Sequence, residues 1–227
     1  MAKRGVFFLA VLLAALPAFS ASSFLEKGEA LFVQNQPRDA EPLLESALRD
    51  DPSNEKVYLY LGIIYQQLGD LDKAVDVLNR GLAVSTQYKD LMYYNMGNDW
   101  FARKDYAQAE RMYSQALAEN KDLAEGYLNR ANARLQLQSY DSAVNDYTLF
   151  LQLQPQDPQR PQIEQVIRLL QQMKEAKLKQ QEEEVARQKA LMNDVMNSLS
   201  NAGDDAKNLS VESIKAKNDP VDVDIKD

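Results

Sequence analysis

The sequence repeats itself with a period of 34 or 35 residues. Residues 91–121 form the clearest copy. Moving this copy forward by 34 residues places Tyr93 on Tyr127, and moving it back by 35 residues places Tyr93 on Tyr58. A fixed period of this length is typical of stacked structural units, each of which packs only against its neighbours. The chain is therefore expected to fold as an array.

Each copy carries the pattern of two helices joined by a turn. Apolar residues recur at helical spacing, as at Met112, Tyr113 and Ala116. Helix-breaking or capping residues interrupt the copies near their middle, at residues 35–37, 69–70, 104–105 and 139. We predict four helical hairpins, at residues 21–54, 55–89, 90–123 and 124–157.

The two central copies share a set of markers. An aromatic residue is followed four positions later by glycine, then by a second aromatic residue and by alanine. These are Tyr58, Gly62, Tyr65 and Ala74 in one copy, and Tyr93, Gly97, Trp100 and Ala109 in the next. The pattern resembles the tetratricopeptide repeat. The resemblance implies an all-α solenoid of four helical hairpins that binds polypeptide in a concave groove.

A small residue recurs at the eighth position of every copy: Gly28, Gly62, Gly97 and Ala131. Glycine inside a helix costs roughly 1 kcal/mol relative to alanine, so its repeated use requires a reason. We predict that the paired helix approaches too closely for a larger side chain.

One position of the fourth copy carries an unexpected charge. Arg130 stands where the two central copies have Leu61 and Met96, so a half-buried guanidinium is expected there. Asp146 follows on the second helix of the same predicted hairpin. We predict a structural ion pair between these two residues.

By the resemblance, a set of aromatic and amide side chains faces the groove. These residues are Tyr60, Tyr94, Asn95, Asn98, Phe101, Asn129 and Asn132. The amides offer both donors and acceptors, which suits the main chain of an extended peptide, and the rings suit its side chains. The alternative is that the amides only satisfy neighbouring helices.

Residues 158–199 are predicted to form a long C-terminal helix that caps the array and then continues as a polar extension. Residues 200–227 are predicted to be a disordered tail, because Asn, Asp, Ser and Lys dominate there.

An apolar face returns near the end of the polar extension, at Leu191, Met192, Val195, Met196 and Leu199. Such a face docks in the groove of a partner, or it packs in a homodimer or against the array. Leu178, Val185, Met192 and Leu199 lie seven residues apart, as in a coiled coil. Gln181 and Gln188 occupy other seam positions and argue against a strong one.

The first residues have the plan of a secretory signal peptide. Lys3 and Arg4 precede the apolar run 6–16, and a small-x-small site ends at Ser20. We predict cleavage after Ser20 and a periplasmic or secreted protein, with an uncleaved membrane anchor as the alternative. Removal of Lys3 and Arg4 lowers the formal net charge from −8 to −10, which disfavours binding to nucleic acid.

The chain contains no histidine and no cysteine. The commonest general base, the commonest activated nucleophiles and the commonest zinc ligands are therefore missing. We predict a protein that is not an enzyme and has no cofactor and no metal.

The blocks 95–98 and 129–132, followed by a helix rich in Gln, Glu and Lys, also resemble exported repeat proteins found with von Willebrand A-domain proteins in bacterial envelopes. This resemblance implies a scaffold in envelope assembly with a protein or peptide ligand. The alternative function is a self-associating structural protein that dimerises through its C-terminal helix.

Overall fold

The computed structural model describes residues 21–218, with the side chains of residues 24–199. The predicted signal peptide, residues 1–20, lies outside the described residues. The described part consists of nine helices without a strand: α1 Ala21–Val33, α2 Pro37–Asp50, α3 Glu55–Leu68, α4 Leu71–Val84, α5 Lys89–Ala102, α6 Tyr106–Glu119, α7 Ala124–Gln136, α8 Tyr140–Leu153 and α9 Arg160–Asn218. The predicted all-α fold is confirmed.

The first eight helices form four hairpins. Every hairpin turn contains one residue in the left-handed region of backbone conformation. These residues are Asn35 (φ 57°), Gly69 (φ 82°), Lys104 (φ 63°) and Gln138 (φ 58°). The second helix then begins within two residues, and the side chains of Asp70 and Asp105 accept hydrogen bonds from backbone N–H groups in the first turns of α4 and α6.

The hairpins stack in chain order. α2 packs on α3, α4 on α5, and α6 on α7. The first helices of neighbouring repeats also contact one another, whereas the second helices of the described array do not. Because one layer is packed more closely than the other, the array curves toward the first helices. These helices therefore line its concave side, the groove.

The two helices of a hairpin approach closely at the glycine positions. A β carbon built on Gly62 would lie 2.4 Å from Leu78 Cδ2, and one built on Gly97 would lie 2.5 Å from Tyr113 Cδ1. Both contacts are well inside van der Waals distance. The predicted reason for the repeated small residue is confirmed, because the facing side chain occupies the space that a methyl group would need.

Buried clusters cross the boundaries between hairpins. The buried residues of the first two hairpins form one cluster that also includes Met92 and Met96 of α5. Leu59, Leu61 and Ile64 of α3 lie in this cluster. A second cluster joins α6 to α7, so both clusters cross from one hairpin to the next, as expected for a stacked array.

The predicted Arg130–Asp146 ion pair is present and has two parallel hydrogen bonds. Arg130 Nε donates to Asp146 Oδ2 and Arg130 Nη2 donates to Asp146 Oδ1, both at 2.8 Å. Arg134 Nη1 also donates to Asp146 Oδ2 at 2.7 Å, and its Nε donates to Glu110 Oε1 at 2.7 Å. Asp146 is 1% exposed, so two guanidinium groups compensate one buried carboxylate.

The described residues divide into two units, with the boundary after Glu164. α9 begins before this boundary and continues to Asn218. Its side chains are exposed from residue 171 to residue 199. No described helix combines the length and the apolar character needed to cross a membrane.

Residues 200–218 are helical, which differs from the predicted disordered tail. The sequence contains no proline between residues 162 and 219, so no proline ends the helix before Pro220. Extension of an existing helix also avoids the cost of a new nucleus. Residues 219–227 lie outside the described residues.

Replacement of Gly62 by alanine should destabilise the array. Alanine gains up to about 1 kcal/mol of helix propensity, but overpacking of a filled core costs about 1–3 kcal/mol. We expect a lower urea midpoint for Gly62→Ala. The change should be smaller for Gly126→Ala, where the nearest atom would lie 3.0 Å from the new β carbon. Equal or greater stability of Gly62→Ala would contradict the close-approach explanation.

Replacement of Asp146 by alanine should leave two arginines without their shared anion. We expect a loss of about 3 kcal/mol or more in the free energy of unfolding, measured by urea denaturation. Asp76→Ala serves as the control, because Asp76 pairs with Arg80 at 3.7 Å on an exposed helix surface. Similar effects of the two replacements would show that the buried cluster contributes little.

Candidate binding groove

An amide network joins the first helices of the third and fourth hairpins. Asn98 Oδ1 accepts hydrogen bonds from Tyr113 OH at 2.9 Å and from Asn129 Nδ2 at 3.0 Å. Asn129 Nδ2 also donates to Tyr94 OH at 3.1 Å. The structure therefore brings together three of the predicted groove residues, Tyr94, Asn98 and Asn129, and links α5 to α7 through them.

The other two predicted asparagines form hydrogen bonds within their own hairpins. Tyr147 OH donates to Asn132 Oδ1 at 2.7 Å, and Asn95 Nδ2 donates to Leu91 O at 2.7 Å. All four amides thus satisfy groups of the array, as the alternative in the sequence analysis stated. Each remains only half-buried, so a role in binding stays a prediction.

Three of these amides also line a small cavity, here called the amide pocket. It has a volume of about 160 Å³. Its lining residues are Asn98, Phe101, Ala102, Tyr113, Asn129 and Asn132. No charged side chain is among them. The pocket therefore combines two rings with three amides and favours an uncharged occupant.

Among the polar atoms of the amide pocket, the side-chain carbonyl oxygen of Asn129 and the side-chain nitrogen of Asn132 have no hydrogen-bond partner among the described residues. One is an acceptor and the other is a donor. A peptide group offers the complementary pair, an N–H and a C=O.

Burial keeps the tyrosines around this network protonated. It raises the pKa of Tyr94, of Tyr113 and of Tyr147 above the usual range, because the ionised phenolate would lose its hydration. The hydroxyl groups of Tyr113 and Tyr147 therefore remain donors to Asn98 and Asn132 at all ordinary pH values.

The remaining predicted aromatic residues lie in two places. Phe101 lines the amide pocket and meets the ring of Tyr106 edge-on, with centroids 5.2 Å apart. Tyr60 lies in the second hairpin, where it stacks on Phe32 with centroids 4.6 Å apart. Lys56 Nζ lies 5.3 Å from the Tyr60 centroid. The Phe32–Tyr60 pair is a separate aromatic surface, and the sequence analysis missed Phe32.

Sequence reasoning also missed Asp99, the most buried charged residue of the groove helices. Asp99 is 0% exposed. Gln66 Nε2 of α3 donates to its Oδ1 at 2.8 Å, but its buried Oδ2 has no partner. A signal was present in the repeat register, because Asp99 aligns with Ile64 and Ala133, both of which are buried and apolar.

Burial dominates the ionisation of Asp99. It raises the pKa of this carboxyl from 3.8 to about 7, whereas the hydrogen bond from Gln66 and the charge of Arg103 act in the opposite direction. The Arg103 guanidinium donates its hydrogen bond to a different carboxylate. Its Nη2 donates to Asp72 at 2.7 Å, and the group lies 4.9 Å from the Trp100 centroid. The second and third repeats thus meet at a poorly compensated acid.

The predicted partner-helix face lies on α9. Leu191, Met192, Val195, Met196 and Leu199 are between 47% and 68% exposed. The face is therefore exposed to solvent, and its binding to a partner stays a prediction.

Two family models, both described as "Tetratricopeptide repeat", match residues 31–92 and 94–158. The chain belongs to the tetratricopeptide repeat proteins. The matched residues begin in α1 and end after α8, and together they account for more than half of the chain.

Curated relatives share the repeats but are much longer. Tetratricopeptide repeat protein 16 of Homo sapiens is 34% identical over 122 residues, which are 51% of this chain and 14% of that protein. The DnaJ homolog subfamily C member 7 homolog of Schizosaccharomyces pombe is 27% identical over 135 residues, 53% of this chain and 28% of that protein. The chain spans less than a third of the length of either relative.

Solved structures agree with the fold. MamA from Desulfovibrio magneticus RS-1 has a TM-score of 0.60 at 17% identity, with 68% of this chain and 85% of that chain covered. YrrB, described as a TPR protein with an unusual peptide-binding site, has a TM-score of 0.58 at 17% identity, with 69% and 78% covered. At these identities the likeness concerns the fold alone.

The buried Asp99 should make stability depend on pH. Between about pH 4 and pH 7 the unfolded chain carries Asp99 ionised and the folded chain carries it protonated, so the free energy of unfolding falls as pH rises through this window. Asp99→Asn removes this loss. We expect the variant to have the higher free energy of unfolding. The difference between the two proteins should grow from pH 4 to pH 7 and then stay constant, on the order of a few kcal/mol. Urea denaturation of both proteins from pH 4.5 to pH 8.5 measures the difference. Parallel pH curves would contradict the assignment.

Proposed function

We propose that the protein is a non-enzymatic interaction scaffold that holds an extended stretch of polypeptide in its groove. The amide pocket is the centre of this site. Asn129 accepts from a peptide N–H, Asn132 donates to a peptide C=O, and the pocket receives one side chain. Tyr94 and Phe101 provide apolar contact beside it.

The observation that carries this proposal is the unpaired donor and acceptor at a cavity on the concave side. Asn129 and Asn132 are fixed by hydrogen bonds through their other polar atoms, so their free atoms are held in place before a ligand binds. Such preorganisation lowers the entropy cost of binding. Exposed concave surfaces are also the usual binding surfaces of stacked repeats.

The chemistry of the pocket limits the ligand. No lysine or arginine lines it, so it offers no charged partner to a terminal carboxylate. No aspartate or glutamate lines it either, so a basic side chain gains no ion pair there. A volume of about 160 Å³ admits one uncharged side chain between the rings of Phe101 and Tyr113.

Export to the cell envelope completes the proposal. The signal-peptide pattern of residues 1–20 supports a periplasmic or secreted location, and the resemblance to envelope repeat proteins supports a role in assembly. Mass measurement of the protein recovered from the envelope fraction tests the location. A mature chain that begins at Ala21 is expected, and an intact Met1 chain in the cytoplasm would contradict export.

Peptide binding is best tested by blocking the amide pocket, because replacement of its asparagines would also remove hydrogen bonds of the array. Ala102 lines the pocket and is exposed, so Ala102→Phe should fill the cavity without loss of any of these bonds. Peptides selected from a random display library against the chain from residue 21 should bind this variant at least tenfold more weakly. The melting temperature should stay close to that of the natural chain.

Ala107→Phe is the matched control, because Ala107 is exposed on α6 and does not line the pocket. Its peptide affinity should equal that of the natural chain. Failure to select any peptide, or equal affinity of the Ala102→Phe variant, would contradict the proposed site.

A further inference from the structure

One face of α9 carries a second pattern that the groove does not use. Leu178, Val185, Met192 and Leu199 are spaced seven residues apart and are 49%, 64%, 61% and 68% exposed. They lie on a single continuous helix. Four exposed apolar residues at this spacing form the first row of a coiled-coil seam.

The heptad positions follow from this row. With those four residues at position a, position d holds Gln181, Gln188 and Val195. The seam is therefore polar at its start and apolar at its end. A seam of this composition associates more weakly than one of aliphatic residues throughout, and its partner is selected mainly by the flanking positions e and g.

The flanking positions are complementary to themselves in a parallel pair. In that arrangement a residue at g meets the residue five positions later on the other helix. Lys177 then meets Glu182 of the second copy. Glu184 likewise meets Lys189 of the second copy. In the last heptad, Leu191 meets Met196 of the second copy, so the contact becomes apolar where the seam does.

An antiparallel pair of the same segment lacks both of these ion pairs. There, g faces g and e faces e, whereas Lys177–Glu182 and Glu184–Lys189 each join a g position to an e position. The order of the charges therefore gives the parallel orientation contacts that the antiparallel orientation cannot form.

We propose that residues 177–199 of α9 form a parallel, in-register coiled coil with a second copy of this chain. This surface is distinct from the groove and goes beyond the proposed function. It would place two grooves in one assembly, so that a partner with two binding segments is held more tightly than by one groove.

Contacts within the single helix do not oppose this association. Glu184 accepts from Gln188 Nε2 at 3.2 Å and pairs with Arg187 at 3.4 Å. Both contacts are on an exposed surface, where ion pairs contribute little. Glu184 is therefore free to exchange them for Lys189 of the second copy.

Charge reversal tests the pairing. Sedimentation equilibrium of the chain from residue 21 should show a monomer–dimer equilibrium. The double variant Lys177→Glu, Lys189→Glu should raise the dimer Kd at least tenfold, and so should Glu182→Lys, Glu184→Lys. An equimolar mixture of the two variants should restore the dimer, because every flanking contact is then between opposite charges. Circular dichroism should show the array folded in each case.

Disulfide formation tests the orientation in a chain that has no cysteine of its own. Leu178→Cys should form a disulfide-linked dimer on mild oxidation, because equal a positions face each other in a parallel pair. In an antiparallel pair the two sulfurs would lie roughly 30 Å apart at 1.5 Å per residue. The adjacent, outward-facing Lys179→Cys is the control and should crosslink far less.

Three results would overturn the proposal. They are a chain that stays monomeric at every concentration, a dimer that ignores both charge reversals, and a dimer that Leu178→Cys does not link faster than Lys179→Cys. The first would leave the face to a different protein, the second would place the dimer contact elsewhere, and the third would exclude the parallel arrangement.

Discussion

The array depends on how closely two helices can lie within a hairpin. At Gly62 the facing Leu78 fills the space of the missing side chain, and at Gly97 the ring of Tyr113 does so. This contact fixes the separation of the paired helices, and the separation fixes where the next hairpin can stack. It also brings Tyr113 OH within reach of Asn98, which in turn holds Asn129 of the next repeat. The shape of the groove thus depends on glycines, whose missing side chains allow the paired helices to lie close together.

The repeat period made the fold predictable, because it states the same local pattern four times. The glycine contacts were predictable because a small residue recurs in every copy. The Arg130–Asp146 pair was predictable because a half-buried guanidinium requires an anion. The hydrogen-bond partners of the groove asparagines could not be predicted from the sequence. Spacing shows which face of a helix carries an amide, but not whether its atoms meet a neighbouring tyrosine or solvent. The continuation of α9 past Ser200 was not predictable from composition, because a polar segment can be either a helix or a disordered tail.

Two places in the array bury a carboxylate in different ways. In the last hairpin, Arg130 and Arg134 enclose Asp146, so a buried charge is matched by two others and by short hydrogen bonds. Between the second and third hairpins, Asp99 accepts one hydrogen bond from Gln66, and its other carboxylate oxygen has no hydrogen-bond partner. The first arrangement satisfies both oxygens of its carboxylate. The second leaves one buried oxygen unsatisfied, at a repeat position where Ile64 and Ala133 show that an apolar residue fits.

In a stacked array each hairpin contacts only its neighbours, so folding cooperativity depends on the interfaces between adjacent hairpins. A local defect therefore destabilises one interface and leaves the others unchanged. We therefore expect local opening next to Asp99, where interior amide protons would exchange earliest and a protease would cleave first. Such an opening would separate the four hairpins into two pairs before either pair unfolds.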